Sequence, residues 1–299
     1  MSETTESLRR KIDSAGDLQS VVRTMKALAA ASIGQYEKSV RALADYYRTV
    51  ELGLGACFRE SEAAVERKER TDAHAIGAVV FGSDQGLVGR FNEVVADDAM
   101  KMLSAMPEKV RVWAVGERVH ARLADAGLRP TGLFAVPNSV EAIAPLVGQM
   151  LVETETRHGR QEVTELHLFY NRPTSAPAYA PVRQRVLPLD EDWRRKLVEL
   201  PWPPKNLPEV MGSDTGTLRA LIREYLFVSF FRACAESLAS ENASRLAAME
   251  RADKNIDELL EALSGSFHRL RQSGIDEELF DVVSGFEAMS KEKVRWRAE

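Results

Sequence analysis

The chain has 299 residues, 44% hydrophobic and 28% charged, which supports a folded core and argues against global disorder. A formal net charge of −5 gives nucleic-acid binding no overall electrostatic support, and the two cysteines, Cys57 and Cys234, have no metal-ligand spacing. No apolar run reaches the roughly 18 residues of a membrane span, and the acidic start, Met1 to Glu6, reads as neither a signal peptide nor an Arg-rich transit peptide.

Residues from about Ser7 to Arg59 predict a long helix. No proline precedes Pro107. From Ile33 the apolar steps are regular, through Tyr36, Val40, Leu43, Tyr47, Val50 and Leu54. That is the seam of a coiled coil. Upstream the series Leu8, Ile12, Ala15, Leu18, Val22, Met25 and Ala29 continues it with one 3-3 slip, and a 4-4 step joins Ala29 to Ile33. Such slips alter supercoil winding locally. Arg9, Arg10, Lys11, Arg23 and Lys26 form a basic band, either solvated or facing an acidic partner. Ser61 to Asp72 is charged and reads as a frayed helix end or a linker.

Ala75 to Gly82 is a continuous apolar run, the mark of a buried strand. A helix over Asn92–Met106 follows, then a strand over Val110–Val115 and a helix over Glu117–Ala126 closed by Gly127. A weak strand covers Thr131–Val136, and a helix capped by Asn138 runs to about His158. Val163–Tyr170 and Ala178–Leu189 predict two more strands. They lie too close for a helical crossover, so they predict an antiparallel hairpin on an otherwise parallel sheet. Pro201, Pro203, Pro204 and Pro208 read as a stiff linker.

From about Thr215 to Arg297 there is no proline, and apolar residues recur at helical steps. Ile256, Leu260, Leu263, Phe267 and Leu270 make one series; Ile275, Leu279, Val282, Phe286 and Met289 make another. At about 1.5 Å per residue, such a helix spans roughly 120 Å, too long to stand without a partner rod or a projecting end. The expected fold class is therefore α/β: a long antiparallel coiled coil of N- and C-terminal helices with an inserted Rossmann-like α/β domain. The expected boundaries are 1–60 for the N-terminal helix, 73–205 for the α/β domain and 212–299 for the C-terminal helix.

Candidate chemistry is sparse. Gly82, Gly86 and Gly89 follow a strand and precede a helix, the right context for a dinucleotide loop, but their spacing is not GxGxxG and no P-loop occurs. Glycines used for a tight turn are the preferred reading. His74, His120, His158, His167 and His268 are scattered without metal spacing, and His167 reads as a solvent-facing or satisfied strand histidine. Asp97-Asp98 and Glu277-Glu278 read as solvated helix faces. Cys57 and Cys234 read as buried, inert thiols.

Several segments resemble the gamma subunit of rotary F-type ATP synthases. Leu8 to Ser14 with Val22 to Ala30 is similar to that family's amino-terminal helix, and Ser83-Asp84-Gln85-Gly86-Leu87-Val88-Gly89-Arg90-Phe91-Asn92 is similar to its S-D-x-G-L-C-G-x-x-N loop. Phe169-Tyr170-Asn171-Arg172 resembles its Y-N-x-F strand end, and Leu238 to Met249 its S-E-x-x-A-R-M-x-A-M helix. Ile275 to Ala288 resembles the carboxyl signature, keeping Ile275, Glu278, Asp281 and Gly285. Asp276, Val88 and Phe286 depart from it, and the Ser290–Glu299 tail continues past where many members stop, which marks a divergent branch.

The resemblance implies a non-catalytic rotor shaft without a cofactor. Its partners would be the alpha and beta subunits of the catalytic hexamer, an epsilon-like subunit and the membrane c-ring, at the cytoplasmic face of the cell membrane. It implies partner contacts at Arg23, Met25, Lys26, Glu241, Arg245, Ile275, Glu278 and Val282. Two other readings stay open from the residues: a nucleotide-binding α/β enzyme with helical dimerisation arms, and a coiled-coil scaffold.

Overall fold

A computed structural model describes residues 4–60, 75–106, 109–159, 163, 165–175, 179–203, 208–210 and 214–295. The charged segment Ser61–Asp72, part of the proline linker and the end of the tail lie outside the described residues. Eleven elements follow in the order α1 (Thr5–Glu60), β1 (Ala75–Phe81), α2 (Phe91–Leu103), β2 (Lys109–Val115), α3 (Glu117–Asp125), β3 (Gly132–Phe134), α4 (Ile143–Gly159), β4 (Glu165–Pro173), β5 (Tyr179–Leu187), α5 (Glu191–Glu199) and α6 (Asp214–Arg295). The chain divides into two compact units. One comprises residues 28–248, and the other residues 1–27 with 249–299. Among the described residues, no helix is long and apolar enough to cross a membrane.

Residues 28–248 hold one five-stranded sheet in the order β3-β2-β1-β4-β5. The first four strands are parallel, and β5 returns antiparallel to β4, as the short connection requires. Alternate side chains divide between two apolar layers. Ile76, Ala78, Val80, Val112 and Ala114 pack against Val95, Ala96 and Ala99 of α2 and Val119 and Leu123 of α3. Val79, Phe81, Trp113, Val115, Leu168 and Tyr170 belong to the other layer, with α4 and the long helices. With both faces covered, β1 is buried at every position, which is why its sequence reads as an unbroken apolar run.

On that second face α1 and α6 pair antiparallel. Tyr46 Oη donates to Glu224 Oε2 at 2.6 Å, and the Tyr47 and Tyr225 rings lie 6.2 Å apart. Farther along, Tyr36 lines a cavity with Leu238 and Glu241. Two differences from the sequence reading have simple causes. The helix expected from Asn138 begins at Ile143, because the preceding residues form a turn in which Ala142 N donates to Ser139 Oγ. The helix α5 was not anticipated. Asp190 caps it by accepting from the backbone of Asp192 and Trp193. It docks through Leu197 so closely that a Cβ on Gly55 of α1 would meet the Leu197 carbonyl oxygen.

In the other unit α1 keeps a strict seven-residue seam. Leu8, Ala15 and Val22 are buried, and so is Gln19. Leu18, expected in the seam, is 54% exposed. The 3-3 slip at Leu18 is therefore absent. Gln19 occupies the position that hydrophobicity assigns to Leu18, while Met25 and Lys26 are both partly buried. Beyond Leu270, every residue of α6 is exposed as far as Phe286.

At Gly82, directly after β1, a Cβ would lie 2.4 Å from Val119 Cβ and 2.7 Å from Asn92 Oδ1. Gly82→Ala is expected to destabilise the protein by about 1–3 kcal/mol, read from a lowered urea midpoint with an unchanged slope.

Candidate functional site

In an open α/β sheet, ligands bind at the carboxyl ends of the strands where the winding reverses. Here that point lies between β1 and β4, and the chain fills it with its own side chains. Asn171, at the end of β4, is fully buried. Its Nδ2 donates to Phe91 O at 2.9 Å, and its backbone oxygen accepts from Ser240 Oγ of α6 at 3.0 Å. Four residues on, Ser244 Oγ donates to Val88 O in the loop after β1. Two small hydroxyl residues one turn apart thus let α6 lie across the crevice while satisfying backbone oxygens there.

The glycine loop is closed from within. Ser83 N donates to Asn92 Oδ1, and Asn92 Nδ2 donates back to Ser83 Oγ, each at 2.9 Å. Asp84 accepts from Glu117 N at 3.0 Å and from Val136 N at 2.9 Å. Its carboxylate therefore caps α3 and ties down the chain after β3. The side chains of this loop serve the fold, and the crevice beside it is occupied by α6.

The expected contact residues fall into three settings. Glu241 and Arg245 turn inward and pair with each other at 2.6 Å, their side chains 7% and 13% exposed. Burial pushes the Glu241 carboxyl above the usual range; Arg245 opposes this and the Asp84 charge adds to it. Near them, Glu236 is gripped from both sides, by Arg172 Nε from β4 and Arg232 Nε from α6, each at 2.7 Å. Arg172 also donates to Tyr170 Oη at 2.7 Å.

Arg23 and Lys26 have partners on α6, within the unit of residues 1–27 and 249–299. Arg23 Nε lies 3.0 Å and Lys26 Nζ 3.7 Å from Asp253, and Arg23 Nη2 lies 3.5 Å from Asp257. Gln19 Nε2 donates to both aspartates. Partial desolvation of Asp253 works against its charge, but Arg23, Lys26 and Gln19 together hold its carboxyl below the usual range. Asp253, Asp257 and Gln19 were missed in the sequence. Their signal was acidic residues at i and i+4 on one helix, matched to a basic residue and an amide at i and i−4 on the other. Met25 is half-buried.

Ile275, Glu278 and Val282 are exposed. Around them Leu279, Phe280, Val283 and Phe286 are also at least half exposed. A contiguous apolar surface of this kind marks an interaction site.

His167 is buried on β4, its Nε2 2.9 Å from Glu165 Oε1. Burial lowers its pKa, with Glu165 opposing. Cys57 and Cys234 are both buried, and burial pushes the Cys234 thiol up. Among the described residues, no three His, Cys, Asp or Glu side chains are grouped to hold a metal ion.

Comparison with known proteins gives one consistent result. The profile of the ATP synthase family matches residues 4–289. The chain is 27% identical to the ATP synthase gamma chain of Syntrophobacter fumaroxidans over 300 residues, covering 96% of this chain and 99% of that one. It is 29% identical to the gamma chain of a Cyanothece species over 318 residues, covering 95% and 98%. Among solved structures, its fold is similar to a chain in the OSCP/F1/c-ring structure of Euglena gracilis mitochondrial ATP synthase. That match has a TM-score of 0.67 at 18% identity, over 97% of this chain and 95% of that one. A chain of the rotor structure from the same complex gives 0.63 at 16% identity, over 91% and 98%.

Asp84→Ala removes the acceptor for two backbone N–H groups and should cost about 1–2 kcal/mol in chemical denaturation. His167 supplies a pH test. Its folded-state pKa is lowered, so the unfolded chain takes up the proton first. Stability is expected to fall as pH drops below about 6.5. Unfolding curves across that window should show a shallower decline in His167→Gln.

Proposed function

Since this chain belongs to the ATP synthase family, in its gamma-chain branch, we propose that it works as the central rotor shaft that couples transmembrane ion flow to ATP synthesis or hydrolysis. It is a non-catalytic subunit. The ATP chemistry belongs to the complex, and the shaft's task is mechanical. The alpha and beta subunits of the catalytic hexamer surround it, and an epsilon-like subunit and the membrane c-ring are its other partners. It is held peripherally, at the cytoplasmic face of the cell membrane.

The observation that carries this reading is the bare apolar surface of α6 from Ile275 to Phe286, where Phe280 and Phe286 are each 75% exposed. Left in water, such a surface invites aggregation; inside a protein sleeve it is covered. Ile275, Glu278 and Val282 are the proposed contacts there, with Met25 and the outward sides of Arg23 and Lys26. Glu241 and Arg245 support the shaft from inside and reach a partner only if their pair opens. Rotation offers each catalytic site a different side of an asymmetric helix. Only interactions that differ between the states of a site can change its affinity for nucleotide. Paired helices transmit torque because neither twists without the other. The charge pairs from Asp253 to Arg23 and Lys26 oppose slippage of one helix past the other in their unit.

A tagged chain purified from its own cells is expected to bring down large P-loop ATPase subunits in about threefold excess, the ratio of a single shaft in a hexamer with threefold symmetry. Recovery of a homodimer, or of the chain alone with bound nucleotide, would replace this reading with the scaffold or the enzyme. In the assembled complex, Val282→Asp should lower ATP-driven ion pumping by on the order of tenfold, as expected for an acid forced into an apolar contact.

A further inference from the structure

A cavity of about 280 Å³ lies where α1, α6, the loop after β1 and the stretch after β3 meet, all within residues 28–248. Glu241 forms one wall and is 5% exposed. Its Oε1 accepts from Arg245 at 2.6 Å, while its Oε2 is buried without a partner among the described residues. Asp84 lines the same cavity, so two carboxylates and one guanidinium, whose Nε is itself buried without a partner among the described residues, sum to −1. Neutral oxygens complete the lining. Asn242 Nδ2 is committed to Leu238 O at 2.8 Å, which leaves its Oδ1 as an acceptor. Tyr36 and Asn138 bring a hydroxyl and a second amide.

A buried carboxylate oxygen with no donor is costly. The upward push on the Glu241 carboxyl is the same strain seen from its protonation. We propose that this cavity binds a small monovalent cation, through Glu241 and the neutral oxygens of Tyr36, Asn138 and Asn242. A divalent ion is disfavoured, because Asp84 already accepts from two backbone N–H groups and, among the described residues, no three acids, histidines or cysteines are grouped to hold a metal ion. Potassium, sodium and ammonium share the required chemistry: one positive charge and a preference for oxygen. The bound ion ties both long helices to the loop and stiffens their seat on the sheet. The site stands on this geometry whether or not the chain turns in a hexamer.

The test is thermal unfolding of the full chain in potassium, sodium or ammonium chloride against choline chloride at equal ionic strength. At least one small cation is expected to raise the midpoint by about 2–4 °C. Glu241→Gln should abolish the difference. Asn138→Leu, a substitution in an irregular stretch, serves as the second variant if Glu241→Gln does not fold. Thallium(I) NMR then reads binding directly. Equal midpoints in all four salts overturn the proposal, as does a cation response unchanged in both variants. A midpoint that responds to pH but to no cation assigns the missing charge to a proton and overturns it as well.

Discussion

Long helices draw most of their stability from the apolar face they bury, and within each unit α1 and α6 bury such a face on one another. On α1 the seam is strict. Leu8, Ala15, Val22, Ala29, Tyr36, Val50 and Cys57 are all buried and all fall on one seven-residue register. Keeping the register forces polar residues into it. Gln19 is buried there because it reaches Asp253 and Asp257, while Leu18 beside it is left to solvent. A polar residue in a seam costs stability but fixes alignment. Gln19, Arg23 and Lys26 all converge on Asp253, so a shift of one turn in that unit would break several contacts together.

The second constraint is the fit of α6 over the strand ends. A doubly wound sheet leaves a crevice at its switch point, and in enzymes a nucleotide fills it. In residues 28–248 the filling is a helix, made possible by the small side chains of Ser240 and Ser244. Both hydroxyls donate to backbone oxygens at the strand ends, Ser240 to Asn171 O and Ser244 to Val88 O, which also accepts from Phe91 N. An architecture capable of binding nucleotides thereby becomes a mount for helices. The double grip of Arg172 and Arg232 on Glu236 adds a charged fastening to the same joint.

Much of this was legible because it rests on local pattern. The apolar run of β1, the close spacing of β4 and β5 and the proline-free stretches each have a near-neighbour cause. What escaped depends on distant partners. Leu18 is the more apolar choice, so hydrophobicity alone moved the seam onto it. Only Asp253 and Asp257, more than two hundred residues away, make Gln19 the buried residue. Glu241 and Arg245 were legible as charged helix residues, but their inward direction depends on a loop near Asp84 that no helical pattern reveals. The helix α5 was hidden by the prolines after it, although Asp190 and the acidic residues behind it were a start signal.

The end of α6 argues for its kind of partner. At 100° per residue, Ile275, Leu279, Val282 and Phe286 cluster on one line of the helix, and Phe280 and Val283 extend that line to an arc of roughly 160°. A partner helix in a two-stranded coiled coil covers a narrower stripe, close to the seam that α1 shows. A homodimerising scaffold would therefore leave Phe280 wet. A sleeve that wraps the helix from several directions leaves none of these residues exposed. It also explains why charged residues persist between them: Asp276, Glu277, Glu278 and Asp281 give each direction around the helix its own mixture of charge and apolar surface. That difference between directions is what a turning shaft needs in order to treat successive catalytic sites unequally.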